Sequence, residues 1–479
     1  MKKTLATIFS TLFILFSVVG CGNKTNKSSE SYQGHPRIVT LQLAAFNDVH
    51  GNAIDSETGL GISKTATLIN QLTNNKENTI LISQGDMWQG SAESNLTKGF
   101  LMTEWMSQQG FVSMTLGNHE FDWGEERIKE NAAVANFPFL GINVYNHSTN
   151  ERPEYCKPSV IIERGGAKIG IIGAAGDNYS SISASKVKDV YFKTGTELDS
   201  LVKHEAKLLK EQGCDMVIYS IHDDDSAYNL ELSKEYVDLV LEGHTHKSYI
   251  RKDDKGVYHM QGGGYNKSFS YAKIEIDTLN DTCKVYDAKS VYTNDYAKNT
   301  NVEVRTEALF EKYSEIIGDA RKPLATLEYR YESDYLRELI SRLYLQEGLV
   351  EWGNDYTIFL GGGYLSCRSP YHLGYGEVSY ADIYNLFPFD NNIQLCSLKG
   401  SDLRQRFTET DNENYFVSYS EFGDNTKDNI DPNETYYIVT DTYCSDYTPN
   451  HLTVVAEYHD ANFYARDLVA SYITNGYLA

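Results

Sequence analysis

Short apolar runs alternate with helix-patterned segments between residues 38 and 277, and this alternation limits the folds that the chain can adopt. The apolar runs predict buried strands at 38–46, 79–83, 112–116, 168–174, 216–221 and 237–241. Apolar side chains that recur every three or four residues predict helices at 62–72, 101–107 and 196–212. Because strands and helices in alternation are typical of layered folds, we expect an α/β domain here.

The chain has 479 residues, more than a single hydrophobic core usually organises, so we expect two domains. The alternation stops near residue 297, where Leu309, Tyr313 and Ile317 share one face of a predicted helix. Beyond residue 322 the sequence is rich in Tyr, Asn and Asp and predicts a different, α+β domain. We therefore expect a first domain at 38–296, a connecting helix at 297–322 and a second domain at 323–479.

The first 21 residues have the pattern of an export signal. Lys2 and Lys3 precede an apolar run, and the segment that ends at Cys21 resembles a bacterial lipoprotein signal. We therefore expect residues 1–21 to be a lipoprotein signal peptide and residues 22–37 to be a flexible tether. The protein would be exported and held to the outer face of the bacterial cell membrane through lipidated Cys21.

The formal net charge of −23 argues against a partner that is a nucleic-acid polymer, because such partners need a basic surface. A small anionic ligand remains compatible if cations are concentrated locally. Six further cysteines are scattered without a CxxC pair, so both disulfides and free thiols remain open. These residues are Cys156, Cys214, Cys283, Cys367, Cys396 and Cys444.

Polar clusters follow the predicted strands at the points where α/β folds place ligand-binding residues. The clusters are Asn47-Asp48-Val49-His50-Gly51, Gly85-Asp86, Gly117-Asn118-His119-Glu120-Phe121-Asp122, His222 and Gly243-His244-Thr245-His246. In an extended segment, residues two apart such as Asp48 and His50 would point the same way. Imidazoles, carboxylates and an amide together suit Zn, Mn, Fe or Co.

The run from Gly117 to Asp122 and the order of the clusters resemble the calcineurin-like metallophosphoesterases, and within them the 5′-nucleotidase family. The resemblance implies a four-layer α/β structure, in which a β-sandwich is flanked by helices, and a C-terminal α+β domain that determines substrate specificity. It also implies two divalent transition-metal ions, each of them Zn, Mn, Co or Fe.

The family motifs assign seven side chains to the two ions, one of them bridging: Asp48, His50 and His246; Asn118, His222 and His244; and the bridging Asp86. His119 would lie over the substrate phosphate and be oriented by Asp122. Water acidified by the ions would supply hydroxide to attack phosphorus. Cationic His119 would stabilise the phosphoryl oxygens or protonate the leaving group.

The second domain resembles the family's substrate-binding domain at several short segments. The candidate substrate contacts are Phe389 and Tyr443, which would sandwich a base, the neighbouring Asn391, and the phosphate-binding Arg330, Arg337 and Arg368. The chain departs from the family pattern around its glycine triplet, where Leu360 stands in place of the usual Asn.

The resemblance implies hydrolysis of nucleoside 5′-phosphates or another small phosphate ester. Two alternatives stay open: a UDP-sugar or 2′,3′-cyclic nucleotide hydrolase that uses the same site, and a non-catalytic nucleotide-binding surface lipoprotein.

Overall fold

The computed structural model describes residues 38–56, 59–73, 76–177, 182, 186–224, 235–363, 372–406, 417–419, 430–446 and 451–478. The expected signal peptide, the expected tether and Arg368 lie outside these residues. Within the described residues, no helix has both the length and the apolar character needed to cross a membrane.

The N-terminal half contains two six-stranded mixed sheets and a short two-stranded one. Its strands are β1 Ile38–Phe46, β2 Thr79–Ser83, β3 Ser113–Thr115, β4 Phe139–Leu140, β5 Val144–Asn146, β6 Ser159–Arg164, β7 Ala167–Ala174, β8 Val190–Phe192, β9 Met216–Ile221, β10 Leu239–Leu241, β11 Ser248–Lys252, β12 Tyr258–Gly262, β13 Ser268–Asp277 and β14 Thr282–Tyr292. The first sheet has the order β14-β13-β1-β2-β3-β4, and the second has the order β11-β12-β10-β9-β7-β6. Strands β5 and β8 pair separately.

The two large sheets pack face to face. Leu41 and Ile82 of the first sheet share a buried cluster with Ile169 and Ile218 of the second. Phe46 points to the opposite face of its strand and joins a separate core under helices. Since the central strands are buried on both faces, they read as continuous apolar runs in the sequence.

Helices cover the outer faces of both sheets. They are α1 Ile62–Thr73, α2 Ala92–Leu96, α3 Phe100–Gln109, α4 Glu125–Val134 and α5 Gly195–Glu211. Val202 and Leu209 of α5 pack on Tyr219 of the second sheet, whereas Trp105 of α3 packs on Phe46 of the first. The order helix, sheet, sheet, helix confirms the expected four-layer α/β structure.

The segment expected to be one connecting helix is broken into shorter pieces. It contains α6 Val304–Lys312 and α7 Ser314–Gly318, with 3-10 turns at Thr293–Asn299 and Asp319–Arg321. Leu309 and Ile317 pack into the core beside the first sheet, and the Tyr313 hydroxyl donates to Glu104 Oε1 over 2.7 Å. The expectation of a continuous helix was therefore wrong: the chain bends at Tyr313 because both of its short helices follow the surface of the N-terminal half.

The C-terminal half is an α+β structure, as expected. Its strands are β15 Pro323–Leu327, β16 Ile358–Gly363, β17 Gly376–Ser379, β18 Ile393–Lys399, β19 Val417–Tyr419, β20 Thr435–Asp441 and β21 Thr453–Glu457. Its helices are α8 Ser333–Trp352, α9 Tyr380–Leu386, α10 Gly400–Arg406, α11 Thr442–Asp446 and α12 Ala465–Thr474. Five strands form a sheet of order β19-β16-β20-β18-β21, and α8 and α12 contribute Tyr344 and Val469 to its core.

The cysteines of the described residues are free thiols: Cys156, Cys214, Cys283, Cys396 and Cys444. Cys156, Cys396 and Cys444 are buried, and burial raises the pKa of Cys156 and Cys396 to about 12. These thiols therefore act as small apolar side chains in their surroundings.

Candidate active site

Five loops bring the candidate metal ligands together at the ends of central strands. Asp48 and His50 follow β1, Asp86 follows β2, and Asn118 follows β3 in the first sheet. In the second sheet, the ligand-bearing loops begin directly after β9 and β10, and they carry His222, His244 and His246. Because the two sheets face one another, their loop sets meet over one edge of the sandwich.

The candidate ligands form two groups that share Asp86. In the first group, His246 Nε2 lies 3.4 Å from Asp48 Oδ1 and 2.9 Å from His50 Nε2. In the second, Asn118 Oδ1 lies 3.1 Å from His222 Nε2 and 3.0 Å from His244 Nδ1. Asp86 Oδ2 lies 3.1 Å from His222 Nε2 and 3.9 Å from His50 Nε2, so this carboxylate faces both groups.

The donor set fits divalent metal ions. Asp48 Oδ1 is buried and accepts no hydrogen bond in the described part of the chain, yet it lies 4.0 Å from the Nε2 atoms of both His50 and His222. A buried carboxylate oxygen without a hydrogen-bond partner is costly, and a metal ion at this position would satisfy it. Within the described residues, two clusters with ligand spacing are Asp48, His50 and His246, and Asp86, His222 and His244.

Backbone carbonyls orient two of the histidines. His50 Nδ1 lies 2.9 Å from the carbonyl oxygen of Gln89, and His222 Nδ1 lies 2.7 Å from that of Gln84. A carbonyl can only accept, so each Nδ1 carries a proton, and Nε2 is the ring atom whose lone pair a metal ion binds when the ring is neutral. This arrangement fixes the tautomer and the ring direction that a metal ligand requires.

Buried Glu120 ties two of the ligand loops together. Its Oε2 accepts the backbone N–H groups of Gly117 over 2.7 Å and Asp86 over 2.9 Å, and its Oε1 accepts the N–H of Met87 over 2.9 Å. Burial nevertheless raises the pKa of Glu120 to about 7. The position of Asp86 relative to Asn118 therefore depends on this carboxylate.

Five candidate ligands have a left-handed backbone conformation: Asp48 (φ 50°), His50 (φ 51°), Asp86 (φ 54°), His244 (φ 77°) and His246 (φ 57°). Non-glycine residues rarely adopt positive φ, and such strain concentrates at functional sites. The expectation that an extended segment aims Asp48 and His50 together was therefore wrong. The two side chains converge because the loop turns at each of them.

The carboxylates and histidines strongly perturb one another's charge. Burial raises the pKa of Asp48 to about 7. Burial also acts to raise that of Asp86, but the neighbouring His222 and His119 hold its pKa well below 3.8. Although burial disfavours a charged imidazole, Asp86 and Asp48 raise the pKa of His222 to about 10. Burial and nearby His222 lower the pKa of His244.

His119 lies at the mouth of the site rather than deep among the ligands. Its Nδ1 is 2.8 Å from Asp122 Oδ2, and both side chains are partly exposed. Its backbone N–H donates to Asp86 Oδ1 over 2.9 Å. A ring nitrogen of His119 also lies close enough to His50 and Asp86 for the three side chains to share a metal ion.

Two aromatic rings of the C-terminal half stand above His119. The Phe389 ring lies 5.8 Å from the His119 ring, and the Tyr443 ring is nearly parallel to Phe389, with 6.3 Å between centroids and 17° between planes. Tyr443 is 41% exposed, and neighbouring Asn391 is buried. A planar group that entered beside these rings would therefore lie next to the candidate metal ligands.

Contacts between the two halves fix the segment that carries Phe389. The carbonyl oxygen of Pro388 accepts hydrogen bonds from Gln89 Nε2 over 3.0 Å and Asn95 Nδ2 over 2.7 Å. Asp390 pairs with Lys98 over 3.0 Å and with Arg466 over 2.5 Å. Burial acts to raise the pKa of Asp390, but the neighbouring cations Arg466 and Lys98 outweigh burial, so the net pKa is lower than usual.

The arginines expected at the phosphate have different surroundings. Arg330 is half exposed, and its Nε lies 2.7 Å from Glu332 Oε1, the geometry of a surface ion pair. Arg337 belongs to α8, and Arg368 lies outside the described residues. Neither Arg466 nor Lys98 could be singled out from the sequence, because their importance arises from contacts across the two halves. Glu120 lies within the run from Gly117 to Asp122, and its role became evident only from its buried position between two loops.

Comparisons with known proteins agree with this geometry. Residues 41–248 match the calcineurin-like phosphoesterase family, and residues 325–448 match the 5′-nucleotidase C-terminal domain. The chain is similar to Protein UshA of Yersinia enterocolitica, with 23% identity over 476 residues that cover 84% of each protein. It is also similar to a 5′-nucleotidase of Diplobatis ommata, with 25% identity over 412 residues, 77% of this chain and 70% of that protein.

The fold is similar to that of a 5′-nucleotidase precursor from Thermus thermophilus, with a TM-score of 0.73 and 17% identity over 91% of this chain and 96% of that one. Both family matches fall on the two halves described above, in the same order along the chain. The chain therefore belongs to the 5′-nucleotidase family of calcineurin-like metallophosphoesterases, which are metal-dependent phosphoesterases.

Proposed function

We propose that this protein releases phosphate from nucleoside 5′-phosphates with the help of two divalent metal ions. The observation that carries the proposal is the position of Phe389, whose ring lies 5.8 Å from His119 and beside Tyr443. A nucleotide has a flat base and a phosphate a short distance apart, which matches paired rings next to a cluster of metal-ligating side chains.

One ion would be held by Asp48, His50 and His246, the other by Asn118, His222 and His244, with Asp86 shared between them. The orphaned oxygen of Asp48 and the lone pairs directed by the Gln84 and Gln89 carbonyls support this donor set. When bound, such a pair of ions supplies Lewis acidity to a phosphate and lowers the pKa of water.

His119 would act on the phosphate itself. Its Nδ1 lies 2.8 Å from Asp122 Oδ2, and we assign the contact with a substrate oxygen to Nε2. In its cationic form the ring would stabilise charge on the phosphoryl oxygens or donate a proton to the leaving oxygen. Asp122 is then the residue that sets the ring's orientation.

Phe389 and Tyr443 would stack on the base, with Asn391 beside them. Stacking tolerates different bases because every base has a π face. We propose Arg337 and Arg368 as phosphate contacts. Arg330 could contact phosphate only after its ion pair with Glu332, at 2.7 Å, is broken.

The decisive test is a phosphate-release panel with Mn²⁺, Co²⁺ and Zn²⁺, together with metal analysis. AMP, ADP, ATP, UDP-glucose, 2′,3′-cyclic AMP and a simple aryl phosphate should be compared. We expect nucleoside 5′-phosphates to have the highest kcat/KM. A preference for UDP-glucose or the cyclic nucleotide would reject nucleoside 5′-phosphates as the substrate but keep the hydrolytic site. Fewer than two metal ions per chain together with no phosphate release would favour a non-catalytic nucleotide-binding lipoprotein.

We also propose that residues 1–21 direct export and that Cys21 is lipidated, which would hold the enzyme at the outer face of the cell membrane. The support is the charged start, the apolar run and the cysteine of the signal. Labelled fatty acid should be incorporated into the wild-type protein and not into Cys21→Ser. Equal labelling of both proteins would reject the anchor without affecting the proposed chemistry.

A further inference from the structure

Tyr265 contacts all three residues of one proposed ligand set: its ring contacts the side chains of His50 and His246, and its backbone contacts that of Asp48. Its ring centroid lies 5.1 Å from that of His50, with 30° between planes, and 5.1 Å from that of His246, with 84° between planes. Its backbone N–H donates to the carbonyl oxygen of Asp48 over 2.7 Å. Tyr265 thus packs its ring at a tilt against one imidazole and edge-on to a second, and it is hydrogen-bonded to the backbone of Asp48.

The backbone at Tyr265 is strained. Tyr265 and Asn266 both have φ of 54°, and for a bulky residue this conformation persists only where surrounding contacts hold it. Those contacts are present: Asn266 Nδ2 donates to the carbonyl oxygen of Leu60 over 2.5 Å and to Thr65 Oγ1 over 2.6 Å. These hydrogen bonds anchor the residue that follows Tyr265 and so support the backbone that carries the tyrosine ring.

The same loop touches His246 from a second direction. A Cβ added at Gly264 would lie 3.0 Å from both the Cβ and the Cγ of His246, so only glycine lets the backbone pass this close. His246 is therefore confined by the backbone at Gly264 and by the ring of Tyr265. Its Nε2 is held 2.9 Å from His50 Nε2, where one ion could bind both nitrogens.

We propose that Tyr265 is a positioning residue that holds the imidazoles of His50 and His246 in the orientation needed to bind one of the two ions. The proposal rests on the two-metal function proposed above. It predicts that loss of the flat ring weakens one metal equivalent selectively, because the contacts described for Tyr265 lie within one ligand set. Residues that orient ligands typically contribute a factor of about 10 to 100 to metal affinity.

The experiment is a titration of the metal-stripped protein with Co²⁺, followed by equilibrium dialysis and by visible absorption of the bound ion. Wild type should bind two equivalents. Tyr265→Leu should bind one equivalent about 10- to 100-fold more weakly and keep the other, and Tyr265→Phe should match wild type because it keeps the ring. Lys267→Ala is the matched control, since its ammonium lies 5.4 Å from the same ring without being part of the proposed support.

Each outcome separates the two proposals. If wild type and Tyr265→Leu bind two ions with equal affinity, the positioning role is overturned and the two-metal function stands. If wild type binds fewer than two ions, both are overturned. Should Tyr265→Leu fail to fold, Tyr265→Met takes its place, because it also removes the ring and leaves Gly264 unchanged: selective weakening of one equivalent supports the role, and unchanged binding rejects it.

Discussion

The ring of Phe389 lies 5.8 Å from the ring of His119, although the two residues come from different halves of the chain. The contact is supported from both sides, because Gln89 and Asn95 of the N-terminal half donate to the carbonyl oxygen of Pro388. The candidate metal ligands and the paired aromatic rings therefore form one cleft. A substrate in that cleft would contact both halves at once.

Replacing Phe389 should affect nucleotides and spare simpler esters. Stacking is worth about 1–3 kcal/mol per base, so Phe389→Ala should raise KM for AMP by about 5- to 150-fold. KM for an aryl phosphate should change little. Steady-state kinetics on both substrates measure this, with Tyr477→Ala as the exposed-tyrosine control. Equal losses on the two substrates would argue against stacking.

Replacing His119 should slow the reaction without removing metal. His119→Ala should lower kcat by about 10²- to 10⁴-fold, the usual contribution of a positioned acid or base. Asp122→Asn should have a smaller effect, because the ring remains and loses only the partner 2.8 Å from Nδ1. Kinetics and metal analysis test this together. If His119→Ala loses one metal equivalent, His119 is a ligand and the assigned role is wrong.

Replacing Glu120 should destabilise the metal-free protein. Glu120→Gln keeps the size but has one carbonyl oxygen for the three backbone N–H groups that the carboxylate now accepts. Leaving a buried donor unpaired costs about 1–3 kcal/mol, and denaturant unfolding should report a loss of that size. Glu126→Gln provides the control, because that side chain is 74% exposed. Equal stability of the two variants would contradict the structural role of Glu120.

Metal binding should release protons. Burial opposes charge on His222, but Asp86 and Asp48 raise its pKa to about 10, so its ring is cationic at neutral pH without metal. An ion at Nε2 must displace a proton, and apparent metal affinity should therefore rise with pH up to about 10. Calorimetry in buffers of different ionisation enthalpy should detect at least one proton released per chain. No buffer dependence would refute this.

The same shift predicts how pH affects the stability of the metal-free protein. The pKa of His222 is higher in the folded state than its ordinary value of 6.5, so its contribution is complete below that value. The contribution is lost as pH rises towards about 10. Thermal unfolding across this range should show the decline, and it should be reduced in His222→Ala. A stability that rises over the same range would contradict the charge state assigned to His222.

Much of the candidate site was visible in the sequence because local rules determine where strands end. The apolar run at 216–221 predicted the strand observed at Met216–Ile221, and His222 follows it directly. Segment 297–322 was harder to predict, since a helical pattern gives no sign that Tyr313 will turn the chain. The turn depends on packing against residues about two hundred positions earlier, among them Glu104.

The sequence by itself determined the layered α/β class, the later α+β domain and the identity of the polar residues that follow each strand. Those features depend on apolar periodicity and on short motifs, and both are set by residues that lie close together in the sequence. Only the tertiary structure decided that Asp48 and His50 converge through positive φ, that Tyr265 lies on two histidines, and that Arg330 faces solvent beside Glu332. These features arise from contacts between residues far apart in sequence, whose geometry is set when both sheets and both halves pack together.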